Sequence, residues 1–319
     1  MTRPVSIVIP TLGDVPLLER ALTALREEVR ARNVEDQILV VDDSGYGALR
    51  GALDLAWPEV RVLTRKQSGG FAAAAFEGAQ AADYRLLFLM QPDVVVRPGA
   101  LTALVEALQD ERVHAVTPRV LVDGREDRAA ALRVTVEDGR LALLEDADAE
   151  AARESGEPQP VAYGASAALL LRREEFVARG GFDQLFAPLW FEDVDLGLSA
   201  WRQGQEVLLV PSAVVEHHVG GTLRPRVPEA LVRAARERNR LLVHWKHLST
   251  RREAHDHMVA LWRDALDAGL CGRREELVHM ALALGELEAV HASRAELAGA
   301  GASLADVLAW TAPGATRRS

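Results

Sequence analysis

Through its first 116 residues the chain alternates short, almost unbroken apolar runs with stretches of helical periodicity, and that alternation leaves few folds open. Ile38-Leu39-Val40-Val41 and Leu86-Leu87-Phe88-Leu89 have no polar side. As strands they must be covered on both faces, the signature of a mostly parallel sheet between helical layers. The pattern predicts strands over 5–10, 37–43, 60–64, 85–90 and 113–116, with helices over 15–32, 46–56, 70–82 and 99–109. The expected fold class is therefore α/β and Rossmann-like. From 121 to 160 the pattern loosens into an acidic, alanine-rich excursion with room for a hairpin and a short helix. A strand over 161–171, a charged turn over 172–175, a helix ended by Gly204 and a strand over 207–210 follow. Beyond Gly220-Gly221 only helical patterns remain, over 228–248, 254–266, 274–293 and 304–310. The expected division is a ligand-binding domain over 1–222 and an α-helical C-terminal extension over 223–319.

Composition removes whole classes. The single cysteine, Cys271, excludes an internal disulfide framework and a cysteine-rich metal site. A net charge of -10 works against nucleic-acid binding, because a phosphate backbone needs a basic surface. The apolar run of residues 5–10 is too short for a signal peptide, and no window reaches the roughly 18 to 20 apolar residues of a membrane span. A cytoplasmic protein is expected. One segment departs from the acidic balance: residues 224–252 hold nine Lys or Arg against Glu229 and Glu237. On a helix Arg233, Arg236, Arg240, His244 and His247 share one side, with Leu231, Ala235, Leu242, Trp245 and Leu248 on the other. Two readings are open: docking on an anionic leaflet or lipid-diphosphate acceptor, or a helix packed on the domain with a solvated basic face.

The residues able to do chemistry gather where strands end. In open α/β sheets ligands bind beyond the carboxyl ends of strands. Asp42 and Asp43 can accept the imide N–H of a uracil or thymine or the hydroxyls of a ribose, although Asp-Asp-Ser-Gly is also good turn chemistry. Ser68-Gly69-Gly70-Phe71-Ala72 opens a helix of small residues, suited to an anion or to close approach of the sheet. It is neither a Walker loop nor a dinucleotide fingerprint. Asp93, after Gln91-Pro92, can hold a hard divalent cation or simply belong to a loop. His217 and His218 are structural or supply a nitrogen to an ion such as Mn²⁺. Finally Leu189 through Leu196 sets Glu192, Asp193 and Asp195 among bulky hydrophobes, an arrangement that needs a compensating partner or a function. With Phe191, Val194, Leu198 and Trp201 toward the core, Glu192 and Asp195 share another face and Asp193 stands in the first turn near a pocket rim. Acids suited to a helix N-terminus are the plainer reading.

Taken in order, Val5 to Thr11, Val40 to Ser44, Ser68 to Ala72, Gln91-Pro92-Asp93, Gly181-Phe182-Asp183, Phe191 to Leu196 and His217 resemble the inverting family 2 glycosyltransferases of GT-A fold. They resemble especially the bacterial branch that adds rhamnose, galactofuranose and related sugars to cell-surface glycans. The resemblance covers roughly residues 4–222, and Arg238 to Leu242 resembles the start of that family's helical tail. It implies that Pro10, Thr11, Asp42, Gly70 and Asp93 bind a UDP- or dTDP-linked sugar. It further implies that Asp93 and His217 hold a divalent cation, Mn²⁺ or Mg²⁺, and that Asp193 is the general base. Trp190 and Glu192 would face a glycan or lipid-linked acceptor while Asp195 braces the loop. Gln91 departs from the pattern, since many relatives carry an acid there. The implied activity is inverting sugar transfer in cell-surface polysaccharide synthesis, in the cytoplasm or at the inner face of the cell membrane. A sugar nucleotidyltransferase fits less well, because Thr11-Leu12-Gly13-Asp14 lacks the expected glycine-rich basic loop; a non-catalytic nucleotide-sugar-binding subunit is the other alternative.

Overall fold

A computed structural model describes residues 3–126, 132–144, 156–188, 190–218, 228–312, 314–315 and 317. Strand β1 (Val5–Thr11) is buried along its whole length. It lies parallel to β2 (Gln37–Asp42) and to β4 (Leu86–Met90), and β2 in turn lies parallel to β3 (Val60–Thr64). Beyond β4 the sheet turns mixed. Strand β11 (Ala168–Arg172) enters antiparallel between β4 and β6 (Val113–Val122), and β12 (Glu206–His217) runs parallel to β6. Three short strands complete the sheet at its margins: β5 (Val94–Val96) and β10 (Gln159–Pro160) pair antiparallel with β12, and β7 (Arg125–Glu126) with β6. A separate hairpin joins β8 (Val134–Glu137) to β9 (Arg140–Leu143).

The helices of the first half are α1 (Val15–Arg32), α2 (Ala48–Leu53), α3 (Gly70–Ala81) and α4 (Ala100–Ala107). Local chemistry fixes their ends. The Asp14 carboxylate accepts the Leu17 N–H at 3.3 Å to start α1, and Asn33 in the left-handed region closes it. The small residues of α3 serve the sheet. A Cβ on Gly78 would stand 2.4 Å from Val8 Cγ1 and 2.9 Å from Val41 Cγ2, so only glycine lets this helix lie so close to β1 and β2.

Several expectations are corrected. The second half of the sheet is built from longer strands than the apolar runs suggested, because β6 and β12 continue past their buried cores into half-exposed ends. Residues 161–167 are irregular, and the strand begins at Ala168. The charged stretch from 172 opens helix α5 (Arg173–Ala178). Next come the single 3₁₀ turn Gln184–Phe186 and helix α6 (Glu192–Arg202). The tail holds α7 (Glu229–His247), α8 (Arg251–Leu270), α9 (Arg274–Leu284), α10 (Leu287–Ala295) and α11 (Leu304–Trp310). The helix expected over 274–293 is two, interrupted at Gly285-Glu286. The expected boundary at 222 falls among residues 219–227, outside the described ones. The apolar core nonetheless runs unbroken from the sheet into Leu241, Leu242, Val243, Val290, Leu304 and Val307.

Gly78→Val is expected to lower the urea midpoint, and Gly78→Ala to cost about 1–3 kcal/mol through overpacking, offset in part by better helix propensity. Equal stability of both variants with the parent chain would contradict the close helix–sheet contact.

Candidate active site

The ends of β1 and β2 stand side by side, Thr11 paired with Asp42. Pro10, Thr11, Asp42 and Asp43 are all buried there. The two adjacent aspartates do different things. Asp43 accepts the Ser68 hydroxyl at 2.9 Å, the Gly69 N–H at 3.0 Å and the Gly70 N–H at 2.8 Å, and it pairs with the Arg65 guanidinium. The anion that the start of α3 favours is thus supplied by the chain itself. Gly70, with φ of 80°, has its N–H committed to Asp43, and a Cβ there would stand 3.5 Å from the Pro188 carbonyl, so this glycine keeps no free donor for the ligand expected at it. Asp42 accepts the Ser44 N–H at 3.0 Å through Oδ1, while its buried Oδ2 has no hydrogen-bond partner. An unpaired buried carboxylate oxygen costs free energy unless a ligand supplies a donor.

A second buried acceptor waits at the end of β4. Asp93 follows Gln91, whose N–H bonds to the Ala167 carbonyl at 3.0 Å, and Asp93 Oδ1 has no hydrogen-bond donor. Pairing of β5 with β12 puts His217 opposite Val94 and brings its Nε2 to 3.4 Å from Asp93 Oδ1. His218 instead turns its ring to Arg20 at 3.0 Å. A carboxylate oxygen beside an imidazole nitrogen suits Mn²⁺ or a similar ion. Among the described residues no third His, Cys, Asp or Glu joins them, so such an ion would complete its shell with water and ligand phosphates.

Helix α6 carries the three acids. Its entry is strained: Trp190 and Phe191 both hold positive φ, 64° and 73°, a conformation that bulky residues avoid. Ten of the eleven residues of α6 are buried, and the exception is Asp193. Its Oδ2 accepts the Ser166 N–H at 3.0 Å and its Oδ1 the Val194 N–H at 2.8 Å. One turn on, Gly197 lets the helix lie on Ala162 and Tyr163, where a Cβ would stand 2.4 Å from the Ala162 carbonyl. That contact brings Asp193 within reach of Ser166. Since Ala167 holds Gln91, adjacent residues of one loop pin both the Asp193 carboxylate and the turn that carries Asp93. Burial raises the pKa of Asp193 against the pull of the Ser166 and Val194 N–H groups. Burial, then the neighbouring Asp193 charge, pushes Glu192 up to about 8, and its Oε2 has no partner.

Asp195 belongs to a different arrangement. Its Oδ1 meets His247 Nε2 at 2.8 Å and its Oδ2 accepts from Lys246 Nζ at 2.9 Å. Lys246 also donates to Asp183 at 2.7 Å, and the Ser293 hydroxyl bonds to the same Asp183 oxygen. Burial alone would raise Asp195, but Lys246 and His247 carry it down to about 2. Asn239 donates to the carbonyls of Phe186 at 2.6 Å and Trp190 at 2.9 Å, so α7 grips the loop that leads into α6.

The basic face expected on α7 is therefore corrected. His244, Lys246 and His247 are buried, Arg238 reaches the Leu185 and Ala187 carbonyls, and Arg240 reaches the Leu141 carbonyl. Leu231, expected to be covered, is exposed. Arg238 is taken by carbonyls of the loop before α6, Lys246 by Asp183 and Asp195, and Arg240 by a carbonyl of β9, so these three are held by the protein itself. Arg233 and Arg236 stay exposed, and residues 224 and 226 lie outside the described residues. Spacing alone also missed Ser166, Asn239 and the Lys246–His247 pair; the signal for the last was two polar residues, a lysine and a histidine, set between Trp245 and Leu248 in an apolar run.

Residues 6–174, more than half of the chain, match the family described as Glycosyl transferase family 2. An N-acetylglucosaminyl-diphospho-decaprenol L-rhamnosyltransferase of Mycobacterium tuberculosis (strain CDC 1551 / Oshkosh) is 29% identical over 240 residues, covering 68% of this chain and 77% of its own. The O-antigen biosynthesis protein RfbC of Myxococcus xanthus is 27% identical over 245 residues, 72% of this chain but only 18% of that protein. Among solved structures, the mannosyltransferase PcManGT from Pyrobaculum calidifontis, in complex with GDP-Man and Mn²⁺, has a TM-score of 0.56 at 17% identity, with 97% of this chain and 88% of that chain covered. GalNAc-T7 with UDP, GalNAc and Mn²⁺ has a TM-score of 0.58 at 17% identity, over 76% of this chain and 47% of that one. These two share the fold, a GT-A fold.

Lys246→Met is expected to destabilise the chain by about 3–5 kcal/mol in denaturant unfolding, since it removes the cation from two carboxylates and leaves Asp195 with His247 and Asp183 with Ser293. Adding Asp195→Asn should recover part of that loss; no recovery would place the effect elsewhere. Glu192 has the opposite sign. The folded chain keeps a proton that the unfolded chain releases, so stability falls as pH climbs from the ordinary glutamate value toward the raised one. Glu192→Gln should then be more stable than the parent by on the order of 1–3 kcal/mol at pH 8. The gain should vanish at about pH 4, where both states hold the proton. A gain that does not change with pH would contradict the raised pKa.

Proposed function

The chain belongs to glycosyl transferase family 2, and we propose that it moves a sugar from a UDP- or dTDP-linked donor to a hydroxyl of a glycan or lipid-linked acceptor, inverting the anomeric carbon. The observation that carries this reading is Asp193. It is the one residue of α6 that is half-buried rather than buried, held by two backbone N–H groups and raised in pKa by its surroundings. That is the description of a general base.

In the proposed reaction the acceptor oxygen attacks the anomeric carbon as the bond from that carbon to the diphosphate breaks. The proton of the acceptor hydroxyl passes to the Asp193 carboxylate, and the nucleoside diphosphate leaves with the bonding pair. Ser166 and Val194 aim the carboxylate, so its orientation is set before the acceptor arrives. Glu192 stays neutral beside it, which leaves Asp193 as the anion of the pair and a carboxyl O–H for the acceptor. Asp42 Oδ2 offers its unmet acceptor to the base or ribose of the donor. Asp93 and His217 would hold a divalent cation, which when bound supplies positive charge to the departing diphosphate. Trp190, half-buried at the mouth of α6, walls the acceptor side and excludes water.

The names of the mycobacterial and Myxococcus relatives support an acceptor in cell-surface polysaccharide synthesis, and the former a lipid diphosphate. No described helix is long and apolar enough to cross a membrane. We place the enzyme in the cytoplasm, working at the inner face of the membrane that bears such a lipid.

Asp193→Asn is expected to reduce transfer by about 10²–10⁴-fold while leaving donor affinity intact; a variant with near-normal transfer would move the base elsewhere. Asp93→Ala should weaken Mn²⁺-dependent binding of UDP or dTDP by about tenfold or more in calorimetry. Unchanged Mn²⁺ titration would remove Asp93 from the metal site. Parent protein that binds nucleotide sugars yet never transfers or hydrolyses them would favour the binding-subunit alternative.

A further inference from the structure

Among the described residues twelve large hydrophobic side chains are exposed, and nine of them lie between Met258 and Leu287. The densest group is on α8. Met258, Val259, Trp262, Leu266 and Leu270 are each more than half exposed, Trp262 at 65%. At the helical turn angle they fall within an arc of about 120°. His257, Ala260 and Ala268 on the opposite side are buried against the rest of the chain. The helix is thus packed on one face and apolar on the other, more than a solvent-facing helix of a monomer carries.

The charges on that outer face are of one sign. Arg251, Arg252 and Arg263 are exposed on the same side, Arg251 and His255 within the apolar stripe and Arg252 and Arg263 along one edge of it, in an arc of about 140° without an acid. The acids of α8 lie outside it and are engaged. Glu253 caps the helix start through Thr250, Asp256 is 3.8 Å from Arg252, and Asp264 and Asp267 pair with Arg140 and Arg273. In a chain with net charge -10, its most apolar exposed face carries only cations. Trp and Leu on a stripe bordered by Arg is the composition of a helix that lies in a membrane interface. A second copy docked on the same face would set these arginines against their own equivalents.

We propose that the outer face of α8 docks on an anionic lipid leaflet, with Trp262 and the leucines among the upper acyl chains and Arg251, Arg252 and Arg263 on lipid phosphates. This extends the reading of a lipid-borne acceptor, and uses none of the residues assigned to the reaction. It also moves the membrane contact from α7, where Arg238, Arg240 and Lys246 are held inside the protein and Arg233 and Arg236 alone are exposed among its described cations, to the next helix.

The test is co-sedimentation of the full-length protein with phosphatidylcholine vesicles, with and without phosphatidylglycerol. The parent protein should associate with the anionic vesicles, less so at high salt. Trp262→Glu with Leu266→Glu should weaken that association by about tenfold or more, with thermal unfolding unchanged. Arg251→Glu with Arg252→Glu and Arg263→Glu should erase the preference for phosphatidylglycerol, and Arg233→Glu with Arg236→Glu on α7 should not. No association of the parent protein, or equal association of the Trp262→Glu, Leu266→Glu variant, would overturn the proposal. A dimer in light scattering that this variant dissolves would overturn it in favour of a second copy. Transfer to a short water-soluble acceptor, measured on the same proteins, keeps the two readings apart: docking lost with transfer intact is the expected outcome. A parent protein that docks without transferring counts against the reaction alone.

Discussion

One buried lysine holds the two halves of this protein together. Lys246, 2% exposed, bridges Asp195 on α6 and Asp183 ahead of it, with His247 on the other Asp195 oxygen. A buried charge without its partner is among the costliest defects a fold can carry. The tail helix and the acid-bearing helix are therefore stable only as a pair. Asn239 extends the same grip to the carbonyls of Phe186 and Trp190, and through them to the strained residues that set the start of α6. The helical extension is in this sense part of the site, although the residues proposed to bind the donor come from strand ends of the sheet and the turns that follow them.

That anchoring explains how the site tolerates what it contains. Glu192 and Asp193 sit side by side in surroundings that disfavour charge, after two bulky residues in the left-handed region. Each feature lowers stability, and each is what a proposed base and its neutral neighbour require. The stabilising counterpart lies one turn away, where Asp195 is paired and its pKa is depressed. Three acids within four residues thus divide into one that steadies the helix and two that burden it.

The first half of the fold was legible because β1, β2 and β4 are buried almost throughout and α1 has a plain period and caps at both ends. The expected bounds of α1 and β3 are the observed ones. Length misled where strands run past the core, as in β12, and where a strand is three residues long, as in β5, although its pairing is what sets His217 beside Asp93. Residue chemistry alone did not tell Asp42 from Asp43, although the family resemblance singled out Asp42; the hydrogen bonds show that Asp43 fastens the glycine turn and Asp42 keeps an oxygen without a partner. Of the two readings of the basic helix, packing on the domain is what the structure shows, but much of the expected basic face is buried, because charge periodicity records which residues share a face and says nothing of what that face meets. Its partners, Asp183 and Asp195, lie 63 and 51 residues upstream.

The account stands or falls on Asp193 as the group that takes the acceptor proton. The most direct measurement is the distance from its carboxylate to the acceptor hydroxyl in a structure of the complex with Mn²⁺, an unreactive donor analogue and a bound acceptor. A separation of about 2.6–3.2 Å, on the face of the sugar opposite the diphosphate, is what the account predicts. An acceptor hydroxyl that meets another carboxylate, with Asp193 still occupied only by Ser166 and Val194, would contradict it.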